Sequence, residues 1–340
     1  MASKIQRKLL RASCLVLAGS AIAGCGIGEE RYQRHEGNTM GTQYRVTADC
    51  AVDVGGDIVR ELVRLNQELS TYDESSTVSR FNRSMPGEWF AVGGDLVTVV
   101  AAAARLSVDS AGAFDITVGP LVNLWGFGPG GVSTGQPAQE AIDAALARIG
   151  HGHLEFRVQP SALLKHKDVY VDLSAIAKGY GVDRLAELLI ESACGDFIVE
   201  IGGEVRTRGT NERGALWRVG VEVPDPESFG AVQRVLHLEE HSVATSGDYR
   251  NFFAQDGAHF PHTIDPRTGR PVNHQLASVT VAHHSAMWAD GYATLLNVLG
   301  PQAGFTFAQE SGLAALFIVR TEHGFEERYT EPMQPFLRSL

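Results

Sequence analysis

The order of the predicted elements indicates an α+β fold, with mixed and antiparallel sheets and packed helices. Some segments carry apolar residues at helical spacing, and others are short apolar runs bounded by Gly, Pro and Asp, as strands are. The two kinds of segment follow one another without a regular strand–helix–strand period, which disfavours a doubly wound parallel sheet. The chain has 340 residues, of which 44% are hydrophobic and 20% are charged. This length and composition are sufficient for one large domain or two modest ones.

The first half of the chain is predicted to be mainly helical. Apolar residues between Ile58 and Leu69 recur at helical spacing and predict a helix over 57–69. An alanine-rich run predicts a second helix, and a proline start with a glycine stop predicts a third. In chain order, the predicted elements are a strand over 42–47, helices over 57–69 and 95–110, a glycine-rich loop over 126–135 and a helix over 137–150.

The second half is predicted to contain most of the strands. The short apolar run 169–173 predicts a buried strand, and Ser174 is expected to cap the helix that follows. That helix carries Leu185, Leu188 and Leu189. The remaining predicted elements are strands over 197–201, 216–223, 231–238 and 278–281, a helix over 285–299, and an antiparallel pair of strands over 313–320 and 325–329.

The N-terminus is predicted to be a lipoprotein signal. Four basic residues precede an apolar stretch over 14–23, which is too short to span a bilayer in the mature protein. The stretch ends in Ile22-Ala23-Gly24-Cys25, which resembles a bacterial lipobox whose cysteine thiol takes lipid. The alternative is a plain secretory signal with a chance cysteine. The predicted units are a signal peptide over 1–24, a polar tether over 25–37 and a folded domain over 38–340.

This signal predicts a location on the periplasmic side of a bacterial membrane, with the lipid anchor at Cys25. Several acyl chains would hold the protein stably, because one chain alone gives marginal binding. Gly26 stands where an aspartate would retain a lipoprotein in the inner membrane, so the outer membrane is weakly favoured. The choice between the two membranes stays open.

Net charge and cysteine content limit the possible ligands and cross-links. The net charge of -11 disfavours a nucleic-acid surface, because phosphate binding needs clustered positive charge. An anionic ligand would need a metal, a lysine or backbone amides. Cys50 and Cys194 could form a disulfide in an oxidising compartment, or they could be two buried thiols. No spacing of Cys and His indicates a zinc site.

A carboxylate and a hydroxyl near the C-terminus indicate a site for a hard cation. Asp290 and Thr294 are four residues apart in a predicted helix, so their oxygens lie on one face. Oxygens of this kind are ligands that Mg²⁺ accepts.

The junction 171–180 places Asp172 at a strand end and small residues with Lys178 at a helix start, which suits a phosphate. A structural junction with a solvated lysine is the alternative.

Turns carry the other candidates. In Gly112-Ala113-Phe114-Asp115 the carboxylate could hold ribose hydroxyls or a base edge, although a turn aspartate that caps its own backbone is the favoured interpretation of this motif alone. His262 adjoins the rigid turn Asp265-Pro266-Arg267-Thr268-Gly269 and could act as an acid or base near neutral pH, or be structural. Met40 and Tyr72 lie beside turns and could pack on a planar ring, or in the core.

Together and in this order, these segments resemble the ApbE family, the FAD:protein FMN transferases. The resemblance runs from about Met40 to Thr294. It rests on Met40-Gly41-Thr42, Ser70-Thr71-Tyr72, Ser79-Arg80-Phe81-Asn82, Ala113-Phe114-Asp115, the segment 172–179, Ile201-Gly202-Gly203-Glu204-Val205-Arg206, Thr245-Ser246-Gly247, and the segments 262–269 and 290–294. The chain departs from the family at Glu204, where aspartate is common, and at Ser174-Ala175, which replaces a common glycine pair.

The resemblance implies a Mg²⁺-dependent transfer of the FMN moiety of FAD to a threonine or serine hydroxyl of a target protein, with release of AMP. The acceptor is expected to be a membrane redox subunit, and FAD is the substrate. The family's FAD contacts fall on Met40, Tyr72, Ala113, Phe114, Asp115, Asp172, Lys178 and Ile264. Its metal ligands fall on the backbone oxygen of Ala175 and the side chains of Asp290 and Thr294. Its histidine that assists transfer falls on His262.

Two other functions stay open. An FAD pyrophosphatase would use nearly the same site, with water in place of the protein hydroxyl, and would give FMN and AMP. A non-catalytic flavin-binding lipoprotein would bind FAD without turnover. The presence of Asp290, Thr294 and His262 together argues against the second alternative.

Overall fold

The computed structural model describes residues 31–129, 135–225, 228, 230–248, 252–255 and 258–337. The predicted signal peptide, the lipidation site Cys25 and the first part of the tether lie outside the described residues, as does the middle of the glycine-rich loop. Residues from Arg31 onward form one compact unit. No helix in these described ranges is long and apolar enough to cross a membrane.

Seven helices and seventeen strands are found in the described part of the chain. The helices are α1 Gly55–Leu69, α2 Thr77–Arg83, α3 Gly94–Asp109, α4 Gly119–Leu124, α5 Gln139–Leu146, α6 Ala177–Glu191 and α7 Ala286–Glu310, with 3₁₀ helices at His151–His153 and Glu331–Phe336. The strands are β1 Tyr32–Thr39, β2 Thr42–Asp49, β3 Phe90–Ala91, β4 Leu154–Arg157, β5 Ala162–Lys165, β6 Phe197–Ile201, β7 Glu204–Arg208, β8 Trp217–Glu222, β9 Val232–Leu238, β10 Ser242–Gly247, β11 Phe252–Gln255, β12 Ala258–Pro261, β13 Ile264–Asp265, β14 Arg270–Pro271, β15 Leu276–His283, β16 Ala314–Thr321 and β17 Gly324–Tyr329.

An eight-stranded antiparallel sheet organises the fold. Its strand order is β1-β2-β6-β7-β10-β15-β16-β17. Helices α6 and α7 pack on one face, and the hairpin β8–β9 packs on the other through a separate apolar cluster. Apolar side chains alternate between the two faces along the central strands, as a sheet covered on both sides requires. The α+β prediction is therefore confirmed.

The first strand begins inside the predicted tether. β1 starts at Tyr32, which is buried, pairs with Asp49 and donates a hydrogen bond from its hydroxyl to Asp196 Oδ2 at 3.0 Å. The predicted tether over 25–37 is therefore wrong for residues 32–37. An edge strand tolerates polar side chains along most of its length, so its composition is hard to distinguish from that of a linker.

The predicted strand over 169–173 is also wrong. Tyr170 forms one isolated bridge with Val118, and no further ladder follows among the described residues. The Asn82 side chain replaces a partner strand: its Oδ1 accepts from the Val171 amide at 2.8 Å, and its Nδ2 donates to the Val171 carbonyl at 2.9 Å. A buried backbone needs partners, and side chains can supply them.

Several other boundaries differ from the predictions for local reasons. Ser174 does not cap α6, which begins at Ala177 after an Ile176 N-cap that makes no side-chain bond. Helix α7 continues past the predicted end at 299 through a kink at Gly300, which has φ 78° and precedes Pro301. A proline removes one backbone donor, and only glycine adopts that conformation without strain.

Cys50 and Cys194 form a disulfide, which decides between the two alternatives that the sequence leaves open. Their Cα atoms are 4.3 Å apart. Cys50 follows β2, and Cys194 lies just before β6, so the bond joins neighbouring strands at one end of the central sheet.

Candidate active site

The starts of α6 and α7 meet at a glycine. Gly179 donates its backbone N–H to Asp290 Oδ2 at 3.0 Å. A Cβ atom at this position would lie 2.8 Å from the Cβ of Asp290 and would overlap the carbonyl oxygen of Ala286. The absence of a side chain therefore lets the two helices approach closely, and it brings the predicted phosphate junction against the predicted cation ligand.

Three charged side chains, Lys178, Glu204 and Asp290, form a cluster that we call the charged end. The Lys178 Nζ atom lies 2.8 Å from Glu204 Oε1 and 3.8 Å from Asp290 Oδ1. Both carboxylates are buried, whereas 28% of the lysine side chain is exposed. The ammonium is thus held between two carboxylates, on a side chain that is partly exposed.

Burial and mutual charge set the protonation of this cluster. Burial raises the pKa of Glu204 to about 7, against the opposing charge of Lys178. Burial also raises the pKa of Asp290, although Lys178 and the Gly179 amide oppose it. For Lys178, burial lowers the pKa, but Asp290 and Glu204 together outweigh it and raise the pKa above its ordinary value. Lys178 therefore stays protonated and positively charged near neutral pH.

A glycine turn places Glu204 in the charged end. Gly202 and Gly203 connect β6 to β7 with φ values of 64° and 108°, so β7 starts at Glu204 directly after a tight reversal. A Cβ at Gly202 would lie 2.8 Å from Thr42 Cγ2 and 3.4 Å from Lys178 Cδ. The turn thus brings the Met40-Gly41-Thr42 segment beside the lysine, which sequence separation alone would not reveal.

Asp183 is a further residue of this region that the sequence reasoning missed. Its carboxylate accepts from Ser285 Oγ at 2.6 Å and from the backbone amides of Ala286 and Met287 at 2.9 and 3.0 Å. It also pairs with Arg206 at 2.6 Å. An acid at a helix N-terminus is stabilising, so Asp183 fixes the start of α7 to α6.

The predicted metal ligands lie around the same contact. Asp290 and Thr294 are one turn apart on α7, as predicted, and Thr294 is half-buried. Ala175 lies in the turn before α6 and is also half-buried. No group of three or more His, Cys, Asp or Glu gathers within the described ranges, and the predicted set contains one such side chain.

The site suits a small hard cation on chemical grounds. Glu204 Oε2 is buried without a hydrogen-bond partner in the described part of the chain, and two carboxylates face one lysine. An orphaned buried oxygen and an excess of negative charge both favour an added cation. The predicted donors are all oxygens, as Mg²⁺ requires.

Asp115 and Asp172 lie at neighbouring turns. Asp115 Oδ1 accepts from the Thr117 amide at 2.8 Å and the Thr117 hydroxyl at 2.6 Å, and Oδ2 accepts from the His151 amide at 2.9 Å. These bonds favour the turn-forming interpretation of Asp115. Asp172 is buried, and its carboxylate accepts from the Ser174 amide at 2.8 Å. Its own amide donates to the Ile116 carbonyl at 2.7 Å, which joins it to the turn that carries Asp115.

Three predicted FAD contacts have buried side chains. Ala113 and Phe114 face the core, and Phe114 donates its amide to Ser110 Oγ at 3.0 Å. Ile264 packs in an apolar cluster that includes Trp125. Contact of these three residues with a ligand would have to come mainly through their backbone atoms, because their side chains already fill the interior.

Tyr72, Phe127 and His262 form a second cluster, which we call the aromatic rim. Tyr72 is 69% exposed and donates its hydroxyl to the Phe127 carbonyl at 3.3 Å. The rings of Phe127 and His262 are 6.4 Å apart in an edge-to-face arrangement. Partial burial of the hydroxyl end and then the charge of Asp172 raise the pKa of Tyr72. Phe127, at the start of the glycine-rich loop, was missed by the sequence reasoning.

The turn after His262 is held rigidly, as predicted. Gly269 has φ 71° and donates its amide to the Asp265 carbonyl at 2.9 Å, and Trp125 Nε1 donates to the Gly269 carbonyl at 2.9 Å. Arg267 binds the Asp265 carboxylate through two nitrogens, each at 2.9 Å. The segment that carries His262 is therefore fixed to the core at its far end.

Asn297 connects α7 to the histidine segment and was also missed. It follows Thr294 by one helical turn, so Asp290, Thr294 and Asn297 share one face of α7. Its buried Nδ2 donates to Ser246 Oγ at 2.9 Å and to Thr263 Oγ1 at 3.5 Å. The i, i+4, i+7 spacing of polar residues in an apolar helix was the signal that could have revealed it.

Met40 lies at the tip of the β1–β2 hairpin. It has φ 48°, and its Cε would lie 3.0 Å from a Cβ at Gly181, so the side chain rests on α6. The hairpin borders an open cleft of about 720 Å³, lined by Asn38, Thr39, Met40, Gly41, Thr42, Gln43 and Asn66. Most of these residues are uncharged and polar.

Comparison with known proteins agrees with this arrangement. The ApbE family model matches residues 40–317. This span includes both clusters and most of the central sheet. The chain belongs to the ApbE family.

Relatives of the ApbE family match nearly the whole chain. A protein of Vibrio cholerae named FAD:protein FMN transferase is 42% identical over 324 residues, which cover 93% of this chain and 96% of the relative. The solved structure of the flavin transferase ApbE from Vibrio cholerae has a TM-score of 0.83 at 41% identity, and the match covers 90% of this chain and 99% of that one. The apo form of the Pseudomonas stutzeri flavinyl transferase ApbE has a TM-score of 0.82 at 38% identity, covering 90% and 96%.

Proposed function

We propose that this chain is an FAD:protein FMN transferase, which moves the FMN moiety of FAD to a threonine or serine hydroxyl of an acceptor protein. The observation that carries the proposal is the charged end, where Lys178 meets two buried carboxylates at the start of α6. Membership of the ApbE family and relatives named for this activity support it.

The reaction is a phosphoryl transfer between two oxygens. The acceptor hydroxyl attacks the phosphorus of the FMN half of FAD, and a new phosphoester bond forms. The bond from that phosphorus to the bridging oxygen breaks, and AMP leaves with the bridging oxygen and its electron pair. Protein contributions to such reactions are mainly positioning and charge neutralisation.

The residues of this chain divide those tasks. Lys178 supplies positive charge towards the diphosphate, and the α6 start offers backbone amides. The proton of the acceptor hydroxyl passes to His262, which sits on a segment held by its rigid turn. Tyr72 offers an exposed ring for the planar part of the substrate.

The Ala175 carbonyl and the Asp290 and Thr294 side chains would hold Mg²⁺. When bound, the ion polarises the phosphoryl oxygens as a Lewis acid and stabilises the leaving phosphate. The supporting observations are the all-oxygen donor set and the orphaned oxygen of Glu204. Removal of divalent cations with EDTA should therefore abolish transfer, and Mg²⁺ should restore it.

Mass spectrometry tests the activity directly. The protein is incubated with FAD and Mg²⁺, with and without a candidate acceptor, and the acceptor is examined for one added FMN while free AMP is measured. Flavinylation with stoichiometric AMP supports the proposal. FMN and AMP without modified acceptor would indicate the pyrophosphatase, and bound FAD without products would indicate a binding protein.

We extend the proposal to location. The lipobox-like segment before Cys25 supports a lipid anchor on the periplasmic side of a bacterial membrane, where the acceptor would be a membrane redox subunit. Changing Cys25 to Ser should release the protein from membranes or block processing. Normal cleavage with continued membrane fractionation would place the anchor elsewhere.

A further inference from the structure

Glu204 has an incomplete set of partners for a buried carboxylate. The residue is 3% exposed, and its Oε1 bonds to Lys178 at 2.8 Å. Its Oε2 is buried without a hydrogen-bond partner in the part of the chain that the structure describes. A buried oxygen of this kind is costly unless something satisfies it. The missing partner is therefore a donor or cation that is not part of the polypeptide described.

The net charge of the charged end favours a cation as the missing partner of Glu204 Oε2. Glu204 and Asp290 both act on Lys178, and they also act on each other. The ion pair of Asp183 with the half-buried Arg206 is neutral as a unit. With both carboxylates ionised, the charged end thus carries one net negative charge in a place with little water. An added cation would remove that excess and reach the orphaned oxygen.

We infer that Glu204 and Asp290 form a two-carboxylate cation site in which the Lys178 ammonium is the resident cation, and that a divalent cation competes with this ammonium for the carboxylate oxygens. The inference rests on the proposed function for the identity of the ion as Mg²⁺. It adds Glu204 to the expected ligands Ala175, Asp290 and Thr294, either in direct contact with the ion or through an ion-bound water.

Competition between the divalent ion and the Lys178 ammonium for the carboxylates gives the lysine side chain a second position, away from Glu204 and Asp290. Lysine is a compact charge on a flexible stem, and the Lys178 side chain is partly exposed. When the divalent ion takes over the carboxylates, the ammonium is released and can pair with the incoming diphosphate. The same side chain thus neutralises the carboxylates in the empty site and the substrate in the loaded one.

Binding of Mn²⁺ to the protein without FAD tests this inference. Mn²⁺ serves as the probe because its free form is measured by electron paramagnetic resonance, with calorimetry as a second readout. The variants are Lys178→Met and Glu204→Gln. The matched controls are Lys167→Met, an exposed lysine, and Glu200→Gln, a carboxylate on the neighbouring strand that pairs with Arg45. Measurement at about pH 8 keeps protons from replacing the lysine as competitor.

The expected shifts have opposite signs. Lys178→Met should tighten Mn²⁺ binding by about tenfold or more, and Glu204→Gln should weaken it by about tenfold, because one unit charge within about 4 Å is worth at least that factor in a partly buried site. Both controls should stay within about twofold of the unaltered protein. The tighter binding expected for Lys178→Met is opposite in sign to the weaker binding expected if the lysine merely held the site in shape.

Specific outcomes would overturn the inference. Unchanged or weaker Mn²⁺ binding in Lys178→Met excludes the ammonium as resident cation, and unchanged binding in Glu204→Gln excludes Glu204 from the site. Thermal melts identify a variant that fails to fold; if Lys178→Met does so, Lys178→Gln, which also removes the charge, takes its place. A protein that shows both shifts but transfers no FMN contradicts the proposed function, whereas transfer without the shifts contradicts only this inference.

Discussion

The charged end and the aromatic rim are built in different ways. The charged end takes its side chains from two helices and a strand that are packed in the core, and its groups are held by hydrogen bonds and charge contacts of 2.8 to 3.8 Å. The rim takes Tyr72, Phe127 and His262 from three connecting segments, and Tyr72 is largely exposed. Buried charge needs rigid partners, whereas a planar ligand needs an accessible surface. We therefore expect the charged end to control the chemical step and the exposed Tyr72 ring of the rim to control substrate placement, whereas His262 lies in the rim but serves the chemical step.

The largest effect is expected at Asp290. Asp290→Ala should abolish transfer, by at least about 10³-fold, because loss of even one electrostatic stabiliser costs about 10²–10³. FAD affinity should change less. Single-turnover assays and FAD titration separate these effects.

Asp290→Asn is the matched control, since it keeps an acceptor for the Gly179 amide while removing the charge. It should be nearly as inactive. Full activity of either variant at limiting Mg²⁺ would show that Asp290 is not a metal ligand.

A smaller effect is expected at His262, the rim residue that takes the proton of the acceptor hydroxyl. His262→Ala should slow transfer by about 10²-fold with little change in FAD affinity, since a positioned base contributes about 10²–10⁴. The control is His323→Ala, an exposed histidine in the last hairpin. If FAD affinity collapses while the rate at saturating FAD survives, His262 is a substrate contact like Tyr72, and the base must be another group.

Asn297 tests whether the two clusters are coupled. Asn297→Leu removes the bonds to Ser246 and Thr263, so the histidine segment loses one support from α7. We expect transfer to fall about tenfold and the free energy of unfolding to fall by about 1–3 kcal/mol. In a His262→Ala background the substitution should cost stability but no further activity. An equal loss of activity in both backgrounds would mean that Asn297 does not act through His262.

The smallest effect is expected from acid at the start of α7. His283 Nδ1 accepts from the Ser285 amide at 3.0 Å, so the fold prefers the neutral ring there. Burial lowers the pKa of His283, and His284 lowers it further while Asp183 opposes. The folded pKa thus lies below the unfolded value, and the stabilisation is complete above about pH 6.5 and is lost as the pH falls through the folded pKa.

Thermal melts between about pH 7.5 and pH 5 should therefore show a decline of a few degrees that is reduced in His283→Gln. A decline of the same size in the variant would assign the acid sensitivity to other groups. His241, whose pKa burial also lowers, is the first of these to examine.

Local patterns in the sequence predicted the elements that depend on nearby residues. The helix over 57–69, the strand over 197–201 and the final hairpin are close to α1, β6 and β16–β17, because periodic apolar residues specify which face is buried. The rigid turn after His262 and the shared face of Asp290 and Thr294 follow from spacing alone. The ordered set of motifs identified the family.

Tertiary structure decided everything that depends on distant partners. Asn82 replaces a strand beside Val171, and the Tyr32 hydroxyl bonds to Asp196; these partners are 89 and 164 residues apart in sequence. The Cys50–Cys194 bond spans 144 residues. The same applies to the ion pair of Lys178 with Glu204, since the Gly202–Gly203 reversal and the close approach of α6 determine that distance. Sequence fixes which groups can carry charge, but only the packed chain brings opposite charges together and excludes the water that would screen them.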